Sequence, residues 1–125
     1  MKTAPLSALV VASLTLTACG SGGGGGAPGN ALARCSTCHA VKAGDPKRSG
    51  PSLVGIIGKK AGSEQGYAYS AAMKNSGIIW TAETLDAFMA DPNKVVPGNR
   101  MGFAGEPDAA SRKAIIDAIG TSGQP

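Results

Sequence analysis

Histidine is nearly missing from this chain: His39 is the only one in 125 residues. A single imidazole excludes sites built on clustered histidines and any centre ligated by two of them from within the chain. Cysteine is scarce as well, limited to Cys19, Cys35 and Cys38. An odd count of three supports no disulfide framework. A structural zinc site would need all three thiols plus His39, and Cys19 has a separate use argued below. Aromatic residues make up only 4%, so a small domain has little with which to fill a core unaided. The longest apolar run, Leu6 to Leu16, falls well short of the roughly 20 residues that span a bilayer. The formal net charge is +4, and +3 once Lys2 is removed, too mild for a nucleic-acid-binding surface. No nucleophile-and-base constellation marks an autonomous enzyme.

Glycine is abundant, with 19 residues, and its densest stretch divides the chain. Before it, Lys2 and the run Leu6 to Leu16 have the form of an export signal. The tetrad Leu16-Thr17-Ala18-Cys19 resembles the lipobox of bacterial lipoproteins, in which the cysteine is lipidated on sulfur and becomes the new N-terminus. The alternative is an ordinary signal peptide cut near Ala18, which leaves Cys19 without a purpose. Residues 1–18 therefore read as a lipoprotein signal peptide and 19–29 as a lipidated cysteine with a glycine tether. Ten such residues have an r.m.s. span of about 17 Å. Residues 30–122 form the folded domain and 123–125 a tail.

The stretch Cys35-Ser36-Thr37-Cys38-His39 has the spacing for covalent attachment of a c-type haem. Cysteines three apart on a helical turn share a face, so one turn spans both haem vinyl groups and the next residue projects beneath the ring. A thioredoxin-like pair would need a βαβ context, and no strand pattern surrounds this motif. A buried haem would also supply the apolar mass that about 90 residues of aromatic-poor chain lack.

The rest of the domain reads as short helices and tight loops. A helix is expected from Pro28 to Thr37, with Leu32 its only large apolar residue. The glycines of Leu53-Val54-Gly55-Ile56-Ile57-Gly58 argue for close backbone packing. Tyr69 to Asn75 reads as a brief helix, closed by Ser76-Gly77, and Ile78-Ile79-Trp80 runs extended into Thr81 as an N-cap. Ala82 to Ala90 follows with Leu85, Phe88 and Met89 on one face, and Asp91-Pro92 ends it. Val95 to Gly105 is a loop. Pro107 opens a last helix, with Asp108 in its first turn and Gly120 as its stop.

With His39 as one axial ligand, the other side of the iron is left to methionine, lysine or an open position. Met89 belongs to a core face and Met73 sits in a short helix, where packing is the commoner role. Met101 lies in a loop stiffened by Pro97 and flanked by glycines, a setting that can aim a side chain across a cavity, and it is the candidate.

Five separated segments now carry a resemblance. They are Cys35 to His39, Gly50-Pro51-Ser52-Leu53, Gly66 to Ser70, Gly77 to Trp80, and Pro97 to Gly105. In this order, across roughly Leu32 to Ile119, the chain resembles the monohaem class I cytochromes c, particularly the mitochondrial-type branch and its bacterial relatives. The resemblance implies an all-α fold of about four or five helices wrapped around one covalent haem. It implies that the Pro51 carbonyl accepts from the far nitrogen of His39, and that Tyr69 and Trp80 donate to a buried haem propionate. Departures stand beside the matches. Leu32 replaces a first-helix aromatic, Phe88 an aromatic bearing a hydroxyl, Met73 an asparagine, and Lys59 a propionate-side arginine.

The implied function is one-electron transfer in a bacterial respiratory or photosynthetic chain, between a quinol-oxidising complex and a terminal oxidase or reductase. The expected carrier is a monomer on the periplasmic side of a membrane, the inner one favoured, held by its lipid. It docks on redox partners with acidic surfaces, for which Lys42, Lys47, Arg48, Lys59, Lys60 and Arg100 are the candidate cations. A haem-based gas sensor and an electron-entry domain of a larger assembly are the alternatives.

Overall fold

The computed structural model describes residues 31–124, so the expected signal peptide, the expected lipidation site Cys19 and the expected tether lie outside the described residues. The order is a 3-10 turn at Cys35–Thr37, then α1 (Ala71–Asn75), α2 (Ala82–Ala90), α3 (Pro92–Val95) and α4 (Ala109–Thr121). One antiparallel bridge, Lys60 with Ile79, is the extent of β structure among the described residues. None of the described helices is long and apolar enough to cross a membrane.

The described part of the expected first helix is not α-helical. Residues 31–34 form turns that lead into the 3-10 turn. Backbone bonds from Ser36 N to Leu32 O and His39 N to Cys35 O, both 2.9 Å, wind this segment without extending it. Ser36 Oγ turns back onto Ala33 O at 2.8 Å, a local bond that competes with regular helix. The substitute contact at Leu32 exists, since Ala31 and Leu32 pack against the core cluster that contains Ile115, Ile116 and Ile119.

Caps set the other boundaries. Ser70, at ψ 153°, accepts from Met73 N and starts α1 two residues later than expected. Thr81 and Thr84 form a reciprocal capping box at α2. Asp91-Pro92 does end α2, but the same pair opens α3. Asp91 Oδ1 accepts from Lys94 N at 3.0 Å, and proline occupies the first helical position, where its missing N–H is no loss. Asp108 is the N-cap of α4 and lies outside its first turn, and the helix runs past Gly120 to Thr121.

The core lies between α2 and α4, where Leu85 and Met89 meet Ile115, Ile116 and Ile119. Arg112 Nε binds Asp86 Oδ1 at 2.7 Å and ties the two helices together outside that core. Of the two glycines singled out in the loop after Leu53, Gly55 does make a close approach. A Cβ on Gly123 would lie 2.6 Å from the Gly55 Cα, so the two backbones touch there. Gly58 meets nothing and serves its turn.

The cap on α4 predicts a pH dependence. Bonds from Ser111 side chain and backbone hold the Asp108 carboxyl below its ordinary 3.8. A depressed carboxylate contributes stability that is complete above its unfolded pKa and is lost as pH falls through the folded value. Asp108→Ala should therefore lower the urea midpoint at pH 7, and the gap to the parent should close below about pH 4. A gap that stays constant down to pH 3 would show that the cap does not act through its charge.

Candidate functional site

Cys35, Cys38, His39, Pro51, Tyr69, Trp80 and Met101 all line one cavity of about 440 Å³. The sequence places them across 67 positions of chain, and the loops between the helices return them to one place. The remaining wall is largely apolar, with Leu53, Ile56, Leu85, Phe88, Ile115 and Ile119 from several segments. A volume of this order suits a bound cofactor.

The 3-10 turn carries the two thiols, Cys35 half-buried and Cys38 exposed. Burial pushes the Cys35 thiol up, and the neighbouring Arg34 guanidinium works against that shift. His39 follows at 8% exposure. Its Nδ1 lies 2.6 Å from the Pro51 carbonyl. A carbonyl only accepts, so Nδ1 carries the proton and Nε2 presents its lone pair as the ring's remaining polar atom.

The Pro51 loop is held from two sides. Gly50 N donates to Cys38 O at 2.6 Å and Leu53 N to Ala40 O at 2.9 Å, pairing the loop with the histidine segment. Ser52 N donates to Glu64 Oε2 at 2.7 Å, which fastens it to the next loop. Gly50 has no alternative, because a Cβ there would lie 2.7 Å from His39 Cε1 and 2.8 Å from its Nδ1. Glu64 was not foreseen from the sequence, where a carboxylate bonded to one distant backbone amide leaves no signal.

The far wall is aromatic and sulfur-rich. Tyr69 meets Tyr67 edge-on with centroids 4.6 Å apart, and Trp80 meets the buried Phe88 edge-on at 5.2 Å. Burial and the Glu64 carboxylate push the Tyr69 hydroxyl up, so it stays a neutral donor at neutral pH. Met73 and Met89 line the same cavity as Met101. Met101 is half-buried, and its N–H donates to Asn99 Oδ1 at 2.9 Å. Asparagine just after Pro97-Gly98 is a turn signal that could have flagged this bond in the sequence.

The charges fall differently from expectation. Arg100 lines the cavity and donates to Ala68 O at 2.9 Å. Arg34 also lines it, 5.6 Å from the centroid of the Phe103 ring and bonded to Glu106 Oε2 at 2.5 Å. Lys59 is exposed and is not part of the wall. Its backbone pairs with Trp80 N at 2.9 Å, and its side chain is left in solvent. Lys42, Lys47 and Arg48 line a neighbouring polar cavity of about 310 Å³, which shares Gly50, Ser52 and Tyr67 with the larger one.

The donor set fits haem c: two thiols on one turn, an imidazole with its outer nitrogen fixed, a thioether on a separate loop, and apolar walls. No protein-family model matches the chain. Curated relatives do. Cytochrome c type-1 of Ascaris suum is 45% identical over 86 residues, covering 69% of this chain and 76% of the relative. Cytochrome c2 of Rhodopila globiformis is 44% identical over 87 residues, covering 70% and 81% respectively. Among solved structures, cytochrome cH from Methylobacterium extorquens aligns with a TM-score of 0.69 at 39% identity, over 75% of this chain and 94% of that one. Agreement of sequence and backbone over the same domain that builds this cavity places the chain among the class I monohaem cytochromes c, electron carriers and not enzymes, whose cofactor is one covalent haem c.

Proposed function

We propose that this chain shuttles single electrons in a bacterial respiratory or photosynthetic chain, between a quinol-oxidising complex and a terminal oxidase or reductase. The observation that carries this reading is the convergence of both motif cysteines, His39 and Met101 on one apolar cavity. Bound haem c supplies a one-electron exchange between ferrous and ferric iron. Cys35 and Cys38 hold it through thioethers. His39 ligates through Nε2, with its proton kept on Nδ1 by Pro51 O. Met101 ligates through sulfur, a soft donor that favours the ferrous state and raises the potential. Tyr69 and Trp80 offer donors to a propionate, and the apolar walls exclude water.

The anchoring part of the reading rests on the sequence: Cys19 carries lipid, 19–29 is the tether, and 30–122 works as a monomer at the periplasmic face, preferably of the inner membrane. Docking is through cations on acidic redox partners and excludes nucleic acid.

The test is a spectrum and a rate on the exported holoprotein. The ferric and reduced forms should both be low-spin and indifferent to carbon monoxide. Electron exchange with a solubilised quinol-oxidising complex should slow as ionic strength rises. A high-spin spectrum that responds to carbon monoxide would turn the reading to gas sensing, and a rate indifferent to salt would remove the acidic partner.

A further inference from the structure

Between Val96 and Glu106, two backbone N–H groups find a protein acceptor among the described residues, and Asn99 is involved in both. Its own N–H donates to Val96 O at 3.0 Å, and its side chain accepts from Met101 N at 2.9 Å. The other end of the same amide faces three oxygens. Nδ2 lies 3.0 Å from Pro92 O, 3.0 Å from Val96 O and 3.1 Å from Asn93 Oδ1. With acceptors at one end and an N–H at the other, only this orientation of the amide satisfies both. The anchor points are firm, since Pro92 is fully buried and Val96 is 2% exposed, and α3 packs on α2. A continuous line of constraint therefore runs from the α2 core through α3 and one side chain to the backbone of Met101.

We propose that Asn99 is the positioning residue for the Met101 sulfur, and that its clamp sets how strongly the site resists replacement of that sulfur by an outside ligand. The inference rests on the reading of Met101 as the axial ligand. Methionine sulfur is a weak neutral donor, so its hold on iron depends on how little freedom the loop gives it to leave. An outside base enters only when Met101 swings away, and swinging away means breaking the bond to Asn99 Oδ1. Removing the amide leaves the swung-out loop less costly, and the apparent affinity for the competitor rises by the same factor.

The test is an imidazole titration of ferric holoprotein, following the iron–sulfur charge-transfer band at the red end of the spectrum. Asn99→Leu keeps much of the volume and loses every bond. It should bind imidazole about tenfold tighter or more, the scale expected for one to two net hydrogen bonds. Asn99→Asp keeps the acceptor for Met101 N but turns an oxygen toward three others, and it should also bind more tightly than the parent. Asn99→Ser, which retains a hydroxyl, should recover part of the loss. A merely structural role would lower the unfolding midpoint and leave imidazole affinity alone, so parental affinity in folded Asn99→Leu overturns the proposal. Where Asn99→Leu yields no folded holoprotein, Asn99→Asp decides by the same titration. Met101→Ala is the reference. If it binds imidazole no better than the parent, the ligand assignment falls and the clamp with it. If it binds better and the Asn99 variants do not, the clamp alone falls.

Discussion

On the proposed ligation, replacing Met101 with alanine should lower the reduction potential of the holoprotein by about 0.1 V or more, a modest part of the ~0.8 V range that axial ligands span. The charge-transfer band of the ferric protein should vanish. The comparison that gives this result its meaning is with the two other methionines on the same cavity. Met89 is 5% exposed and belongs to the core cluster with Leu85 and Ile119. Met73 is fixed in α1 by a serine at each end, its N–H bonded to Ser70 Oγ and its carbonyl to Ser76 Oγ. Neither sits on a segment free to follow an iron atom. Met73→Leu and Met89→Leu should therefore keep a low-spin spectrum, with Met89→Leu costing a little stability as a volume-conserving swap. Spectroelectrochemical titration of the three variants decides. Loss of the band in Met73→Leu with its survival in Met101→Ala would reassign the ligand.

Ile119→Ala should cost about 2–5 kcal/mol of unfolding free energy, the range for large-to-small changes in a filled core. Ile119 is 2% exposed, belongs to the cluster between α2 and α4, and also lines the cavity. Its loss therefore removes contacts on two sides, in the α2–α4 cluster and on the cavity wall. At roughly 4–8 °C per kcal/mol for a domain of this size, the melting point should fall by about 10 °C or more. Urea unfolding of the holoprotein measures the effect directly. Ile57→Ala, at a position 43% exposed, is the control and should change stability by about 0.5 kcal/mol or less. Equal effects at the two positions would mean that the α2–α4 seam is not where the domain is held together.

Local signals in the sequence were legible where a residue acts on its immediate neighbours. Thr81 caps α2 as expected because its partner Thr84 is three residues away. Asp91-Pro92 signals a stop, but a capping aspartate followed by proline also starts a helix, and α3 is the result. Gly120 carries the signal of a glycine that closes a helix. Burial of Ile119 one residue earlier favours carrying the helix through it, and Ser122 closes it instead. At the site, Cys35, Cys38 and His39 are contiguous, and Met101 stands out in a glycine loop, so chemistry alone singled them out. Asn99 is legible only as a turn residue after Pro97-Gly98, and Glu64 not at all, because their partners are mostly backbone atoms and a backbone atom has no letter in a sequence. Lys59 misled because alignment fixes position along the chain and not the direction of a side chain.

The five-residue helix α1 packs against no other helix among the described residues. A helix this short does not hold itself together in water, so its order is borrowed from its two serine caps, the loops around it and whatever fills the cavity beside Met73. Local opening is therefore expected to begin on the α1 side. The α2–α4 seam holds the buried cluster, so the amides of α1 should exchange with solvent before those of α2 and α4.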